Sequence, residues 1–202
     1  NLPKYDSKKL HYGFFLAAHV SNYRLVYSDD FVYQLDTLQS IRAVLKPGFG
    51  LGFIANYKVA DQFDIRFIPS VSFYEDLLRY QFKNKQVDQV LESTFLDLSI
   101  LVKYKSIQRK NTRVYVVAGC KPSIQISNKK PSTNNDRLFT KNSNFTVEYG
   151  VGMDLYFKLF KFSPELRFSH GIPNMLTESS NIYSIGIQKL TTHMVTLYLF
   201  FE

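Results

Sequence analysis

The sequence predicts an all-β fold, an eight-stranded antiparallel up-and-down transmembrane β-barrel. Three observations predict it. Apolar residues recur at every second position in eight separate segments. The connections between these segments alternate between short and long, as they do in barrels with tight turns on one side of a membrane and large loops on the other. The face opposite the apolar one mixes glycine with charges of both signs, a composition suited to a narrow barrel interior.

The segments follow in order. Tyr12, Phe14, Leu16, Ala18 and Val20 alternate with Gly13, Phe15, Ala17 and His19. Phe49, Leu51, Phe53 and Ala55 alternate with Gly48, Gly50 and Gly52. Phe63, Ile65, Phe67, Val71 and Phe73 oppose Asp64, Arg66, Ser70 and Ser72, and Leu96, Leu98, Ile100, Val102 and Tyr104 oppose Asp97, Ser99, Leu101 and Lys103. In the second half, Val114, Val116, Ala118 and Cys120 alternate with Tyr115, Val117, Gly119 and Lys121. Phe145–Phe157, Phe162–Phe168 and Val195–Phe201 repeat the pattern, with Glu148, Gly150, Gly152, Asp154, Glu165 and Arg167 on the polar face. Successive side chains of a strand point to opposite faces, so each set lines one side of the wall. Pro69, Pro122 and Pro164 lie inside these segments, where a missing N–H calls for a bulge or a strand end.

Residues 57–62, 105–112 and 158–161 are the short connections; 24–44, 76–92, 128–144 and 170–190 are the long ones. Ser180–Leu190 has room for a short helix. Residues 1–9 are expected as an N-terminal periplasmic segment and 10–202 as the barrel. A chain exported to an outer membrane is expected to be made with a signal peptide, which this sequence, beginning at Asn1, does not carry. A soluble lipocalin-like barrel would show the same period with its apolar face inward. Glycine on a water-facing strand has nothing to pack against, whereas inside a narrow barrel it makes room for a neighbouring Arg or Tyr.

Composition narrows the function. One cysteine among 202 residues excludes an intrachain disulfide framework, and no apolar run reaches the ~18 residues of a membrane-spanning helix. The net charge of +8 comes with no zinc-finger spacing, basic helix or RNA-recognition motif, so nucleic acid is not an expected partner. The charge has an expected location. Lys4, Lys8, Lys9, Lys58, Lys103, Lys105, Arg109, Lys110, Arg113, Lys158 and Lys161 fall at the short-turn end, against Asp6 and Asp61. Eleven basic against two acidic residues account for the whole excess. Arg109, Lys110 and Arg113 around the turn Ile107–Thr112 are the candidate docking residues, for anionic headgroups or for an acidic periplasmic protein.

Asp64, Arg66, Glu148, Asp154, Glu165 and Arg167 are expected to form a structural charge network in the lumen, with Arg66, Arg167 or Lys103 pairing Glu165. Ser169–His170 is the nearest approach to a nucleophile and base, but adjacent strand residues face opposite ways and no G-x-S-x-G turn exists. His11, His19, His170 and His193 have no metal-ligand spacing. No enzyme, cofactor or metal is expected. The loop carrying Lys129, Lys130, Arg137 and Lys141 suits lipopolysaccharide phosphates, a partner barrel or plain solvent.

The last nine residues, MVTLYLFFE (Met194–Glu202), resemble an outer-membrane insertion signal, with Leu197, Leu199 and the aromatic Phe201 in alternation. Beyond this, ESTFLDLSILVKYKS (Glu92–Ser106), RVYVVAGCK (Arg113–Lys121) and FKFSPELRFS (Phe160–Ser169) resemble the PorT (SprT) barrels of Bacteroidetes. So do LHYGFFLAAHVSNY (Leu10–Tyr23) and LKPGFGLGFIANY (Leu45–Tyr57). The resemblance implies a non-enzymatic outer-membrane component of the type IX secretion system, which exports proteins and in some members supports gliding. It implies other components of that system, a translocon barrel or periplasmic subunits, as partners alongside outer-membrane lipid. A small surface adhesion or ligand-binding barrel and a lipid-modifying outer-membrane enzyme are the other classes compatible with the residues.

Overall fold

The computed structural model describes residues 9–27, 38–44, 46–82, 86–128, 143–173 and 187–202. They form nine strands: β1 (Leu10–Tyr27), β2 (Leu38–Val44), β3 (Lys46–Lys58), β4 (Phe63–Phe82), β5 (Gln86–Lys105), β6 (Thr112–Asn128), β7 (Ser143–Tyr156), β8 (Lys161–Gly171) and β9 (Ile187–Phe201). Every neighbouring pair is antiparallel, and β1 pairs with β9 from Phe14↔Phe201 to Tyr27↔Ile187, which closes the sheet. β2 and β3 are two parts of one stave. β3 pairs with the first half of β4 (Phe49↔Phe73) and β2 with the second half (Val44↔Leu77). Nine segments thus make the eight staves of a closed barrel.

Tight turns at 59–62, 106–111 and 157–160 gather at one end, together with the start of β1 and the end of β9. At the opposite, loop end, the strands run further than alternation suggests. The β4–β5 ladder continues to Gln81↔Gln86, so most of 76–92 is strand and not loop. Residues 24–27, 38–44 and 187–190 are likewise strand. The reason lies in the solvent. Beyond the hydrocarbon no lipid imposes an apolar face, while the backbone ladder itself runs on. Ile187–Leu190 therefore belongs to β9; the rest of the expected helical stretch, the basic loop 129–141 and residues 1–8 lie outside the described residues.

The three prolines sit at neither bulges nor strand ends. Each lies where the ladder to one neighbour skips two residue pairs and resumes in the same register. Toward β3, Gly52↔Ser70 is followed by Ala55↔Phe67 across Pro69. Asp97↔Ser123 and Ile100↔Cys120 bracket Pro122, and Gly152↔Glu165 and Leu155↔Phe162 bracket Pro164. On the other side each proline keeps its partner: Leu98, Phe145 and Leu199 respectively. In an antiparallel strand the N–H and C=O of one residue point the same way, so the missing donor weakens a single seam.

Parity then sorts the wall. Leu16, Leu51, Phe53, Ile65, Phe67, Ile100, Val102, Val116, Val151 and Leu197 are exposed and apolar on the outside, a continuous surface that only a membrane covers. Aromatic rings bound it. At the turn end Phe63 packs on Tyr104 at 5.1 Å and Phe201 on Phe14 and Phe162 at 5.2 Å each; at the loop end Phe49 stacks on Phe73 at 4.8 Å. Inside, Phe15, Ala17, Ile54, Ile68, Leu101, Tyr198 and Phe200 form an apolar layer. Gly152 faces Tyr115 across the β6–β7 ladder. A Cβ there would lie 2.5 Å from the ring Cζ, so only glycine leaves the slot that the tyrosine fills.

The turn between β5 and β6 is a two-residue hairpin. Arg109 and Thr112 exchange backbone hydrogen bonds of 3.0 Å in both directions. Lys110, its first central residue, has φ of 56°, where type II′ turns favour glycine. A side chain held there costs on the order of 1 kcal/mol.

Candidate functional site

The interior above and below the apolar layer is a network of buried charge. Arg66, Lys103, Lys105, Lys121, Lys161 and Arg167 are buried cations, and Asp64, Asp97, Glu148, Asp154, Glu165 and Glu202 present buried carboxylates. Six basic side chains thus face six acidic ones. Asp64, Arg66, Glu148, Asp154, Glu165 and Arg167, the six residues singled out in the sequence, all point inward. Asp97, Lys105, Lys121, Lys161 and Glu202 join them beyond what the sequence predicts, and Lys103, compatible with lumen or surface by sequence, lies in the lumen. Parity was the available signal, since Lys103 and Lys105 share the face of Asp97.

The central knot joins β4, β7 and β8. Glu165 Oε2 accepts from Arg66 Nη1 at 2.6 Å, and Oε1 accepts from Arg167 Nε at 2.9 Å and also from its Nη2. Arg167 Nη1 donates to Glu148 Oε2 at 2.9 Å. Lys121 Nζ and Ser169 Oγ reach the other Glu148 oxygen at 3.2 and 2.7 Å. Of the three cations considered for Glu165, the two arginines bind it. Lys103 instead donates to both oxygens of Asp154 at 2.8 and 2.6 Å, while Ser163 donates to Oδ1 at 2.7 Å. Nearer the turn end, Lys105 and Asn56 donate to Asp64 at 2.6 and 3.0 Å, and Lys161 pairs with Glu202 at 2.9 Å.

Aromatic faces cover the cations. The Arg66 guanidinium lies 4.8 Å from the Tyr115 centroid and 5.2 Å from that of Phe200; Arg167 lies 4.1 Å from Tyr198, and Lys103 Nζ 3.6 Å from Tyr115. Such contacts strengthen where water is excluded. A cavity of about 10 Å³ lined by His11, Asn56, Asp64, Lys105 and Asp154 opens near the turn end, enough for roughly one water molecule. The arrangement can brace the wall. That cavity is too small for an organic substrate.

The outward charge is smaller than the sequence suggests. Lys103, Lys105 and Lys161, expected at the turn-end surface, are inside the barrel and paired. Pleat parity, not nearness to a strand end, decides where a lysine points. Among the described residues Lys9, Lys58, Arg109, Lys110, Arg113 and Lys158 stand against Asp61 at this end, a balance of +5. Lys58 pairs with Asp61 at 2.9 Å, and this hydrogen-bonded ammonium holds the Asp61 carboxyl below its usual range. Arg109 and Lys110 are exposed, whereas Arg113 is half-buried and reaches Gln108 Oε1 at 3.5 Å.

Ser169 and His170 face opposite sides. Ser169 serves Glu148 inside; His170, outside, lies 2.9 Å from Tyr149 OH and 2.7 Å from His193 Nδ1. No serine–histidine pair forms there. Among the described residues no group of three or more His, Cys, Asp or Glu is placed to hold a metal ion. Cys120 is a free, partly exposed thiol on the wall. Leu197 faces outward, Leu199 pairs with Pro164, and Phe201 joins the turn-end ring.

A closed eight-stave wall, apolar outside and filled with charge inside, defines a small outer-membrane barrel. The chain belongs to the family described as outer membrane protein beta-barrel domain, whose model matches residues 3–177. Among solved structures it is similar to the outer membrane protein OprG from Pseudomonas aeruginosa, at 11% identity over 95% of this chain and 92% of that one, with a TM-score of 0.54. It is also similar to Neisserial surface protein A, at 10% identity over 93% and 95% of the two chains, TM-score 0.46. Likenesses at this identity concern the fold alone. No curated protein matches the chain in sequence.

Proposed function

We propose that this barrel is a non-enzymatic accessory of the type IX protein secretion machinery, acting through its surfaces and not through its lumen. The observation that carries the second half is the interior itself. Six buried cations pair with five carboxylates across it, Ser72 holds the sixth, Asp97, and aromatic rings cover Arg66, Lys103 and Arg167. An eight-stranded barrel so filled conducts neither substrate nor ions. The secretion assignment rests on the sequence resemblance to PorT. The three segments that carry it most specifically, Glu92–Ser106, Arg113–Lys121 and Phe160–Ser169, lie on β5, β6 and β8 and supply Asp97, Lys103, Lys121, Glu165 and Arg167 to the interior. In this reading Leu197, Leu199 and Phe201 belong to the insertion signal, and the short-turn end faces the periplasm, as in barrels of this class.

Deletion of the chain tests the assignment. Export of proteins bearing a C-terminal sorting domain should fail, and the wild-type gene should restore it. Normal export in the deletion strain would exclude the secretion role. One feature favours the adhesion reading instead: β4 and β5 run 20 residues each, past the loop-end ring at Phe73. Loss of cell attachment with intact export would select it.

A further inference from the structure

We infer that the turn 106–111 is a preorganised docking element for an acidic segment of a periplasmic protein, with Ile107, Arg109 and Lys110 as its contact residues. The inference rests on the accessory reading and names the chemistry of its partner.

The three short turns are not equivalent. Turn 59–62 neutralises its neighbouring lysine through the Lys58–Asp61 pair. Turn 157–160 has one lysine set among Phe157, Leu159 and Phe160, and the two phenylalanines stack at 5.1 Å. Turn 106–111 contains two basic residues and no acidic one. Its isoleucine is 78% exposed.

Its shape is also fixed. Arg109 and Thr112 close the hairpin from both sides, Gln108 Nε2 donates to the Lys110 carbonyl at 3.0 Å, and Ser106 N donates to Val114 O at 2.9 Å. At the tip a lysine occupies the left-handed conformation that glycine adopts freely. The sequence keeps a charged side chain where backbone ease asks for none, which points to the charge as the feature in use. Anionic headgroups are attracted by charge alone and need no fixed turn. A pair of cations carried on a fixed backbone turn beside an exposed apolar residue fits a complementary acidic protein surface, where preorganisation raises affinity and charge sets orientation.

A photocrosslinking residue, p-benzoyl-phenylalanine at position 107 of the full chain in cells, tests this. A discrete protein adduct is expected, with the crosslinked peptide acidic by mass spectrometry. Its yield should fall roughly tenfold in Arg109→Glu/Lys110→Glu, while Lys158→Glu leaves it unchanged. Heat-modified gel migration checks that each barrel is folded. Lys110→Gly, which relieves the turn, should fold at least as well and still lose adduct. With purified barrel in phosphatidylcholine nanodiscs, poly-L-glutamate serves as the acidic probe. Its binding should weaken with the double reversal and with rising salt. Adducts to lipid only, a neutral or basic crosslinked peptide, or a yield indifferent to the reversal would overturn the inference. Where deletion of the chain blocks export but position 107 yields no acidic adduct, docking falls and the accessory role stands. Where deletion leaves export normal, the accessory role falls by its own assay.

Discussion

Glu165→Gln should be the most damaging single change in the interior. Its carboxylate holds Arg66 at 2.6 Å and Arg167 at 2.9 Å, with all three side chains fully buried. Removing the charge leaves Arg167 a second partner, Glu148. Arg66 loses its one directly paired carboxylate and keeps a neutral amide acceptor, the aromatic faces of Tyr115 and Phe200, and the more distant charges of Glu202 and Asp154. Two unit charges about 4 Å apart interact by roughly 4 kcal/mol at an effective dielectric of about 20, and breaking one side of a buried pair typically costs about 3–5 kcal/mol. The cation–π contacts return on the order of 1 kcal/mol, so a net loss of about 2–4 kcal/mol is expected. Urea unfolding of the barrel in phosphatidylcholine vesicles measures it. Arg66→Met combined with Glu165→Gln should regain much of the loss, because a matched apolar replacement strands no charge. Glu165→Gln at wild-type stability, or a double variant no better than the single one, would refute the reasoning.

Other consequences are equally direct. Val151→Arg places a guanidinium on the lipid face and should cost about 2–4 kcal/mol, whereas Ser99→Ala, on the inner face of β5, should cost less than about 1.5 kcal/mol; equal effects would reverse the face assignment. Gly152→Ala should cost about 1–3 kcal/mol by forcing the Tyr115 ring aside, measured as a shifted urea midpoint, and Tyr115→Ser should restore part of it. Planar-bilayer recordings should show no large steady pore, since the interior is filled with side chains; a stable high-conductance state would contradict the packing.

Alternation carried the fold because lipid enforces it. From Phe63 to Phe73 every second residue faces hydrocarbon or lumen, and the sequence alternates accordingly. Past Tyr74 the pattern is broken by Glu75, Asp76 and the Leu77–Leu78 pair before Leu78, Tyr80 and Phe82 resume it, so the continuation of β4 and β5 to Phe82 and Gln86 leaves only a short, interrupted trace. The interior charges were legible where a carboxylate or arginine sat mid-strand, as at Arg66 or Glu148. They were missed where a lysine lay near a strand end, as at Lys105 and Lys161, because nearness to an end was given more weight than parity. The proline seams had no sequence signature. A ladder that skips two pairs and resumes in register depends on which neighbour the missing N–H faces, and that is set by pairing across the barrel.

The closure of β1 onto β9 also constrains how the protein is built. Arg66 finds Glu165 across 99 residues of chain and Lys103 finds Asp154 across 51. A half-assembled wall lacking β7 and β8 would bring Arg66, Lys103 and Lys121 toward the bilayer with their carboxylates still outside it. Each such cation turned toward hydrocarbon costs at least a few kcal/mol, so the order of assembly with the lower cost is one in which β7 and β8 join the earlier staves before the wall meets lipid.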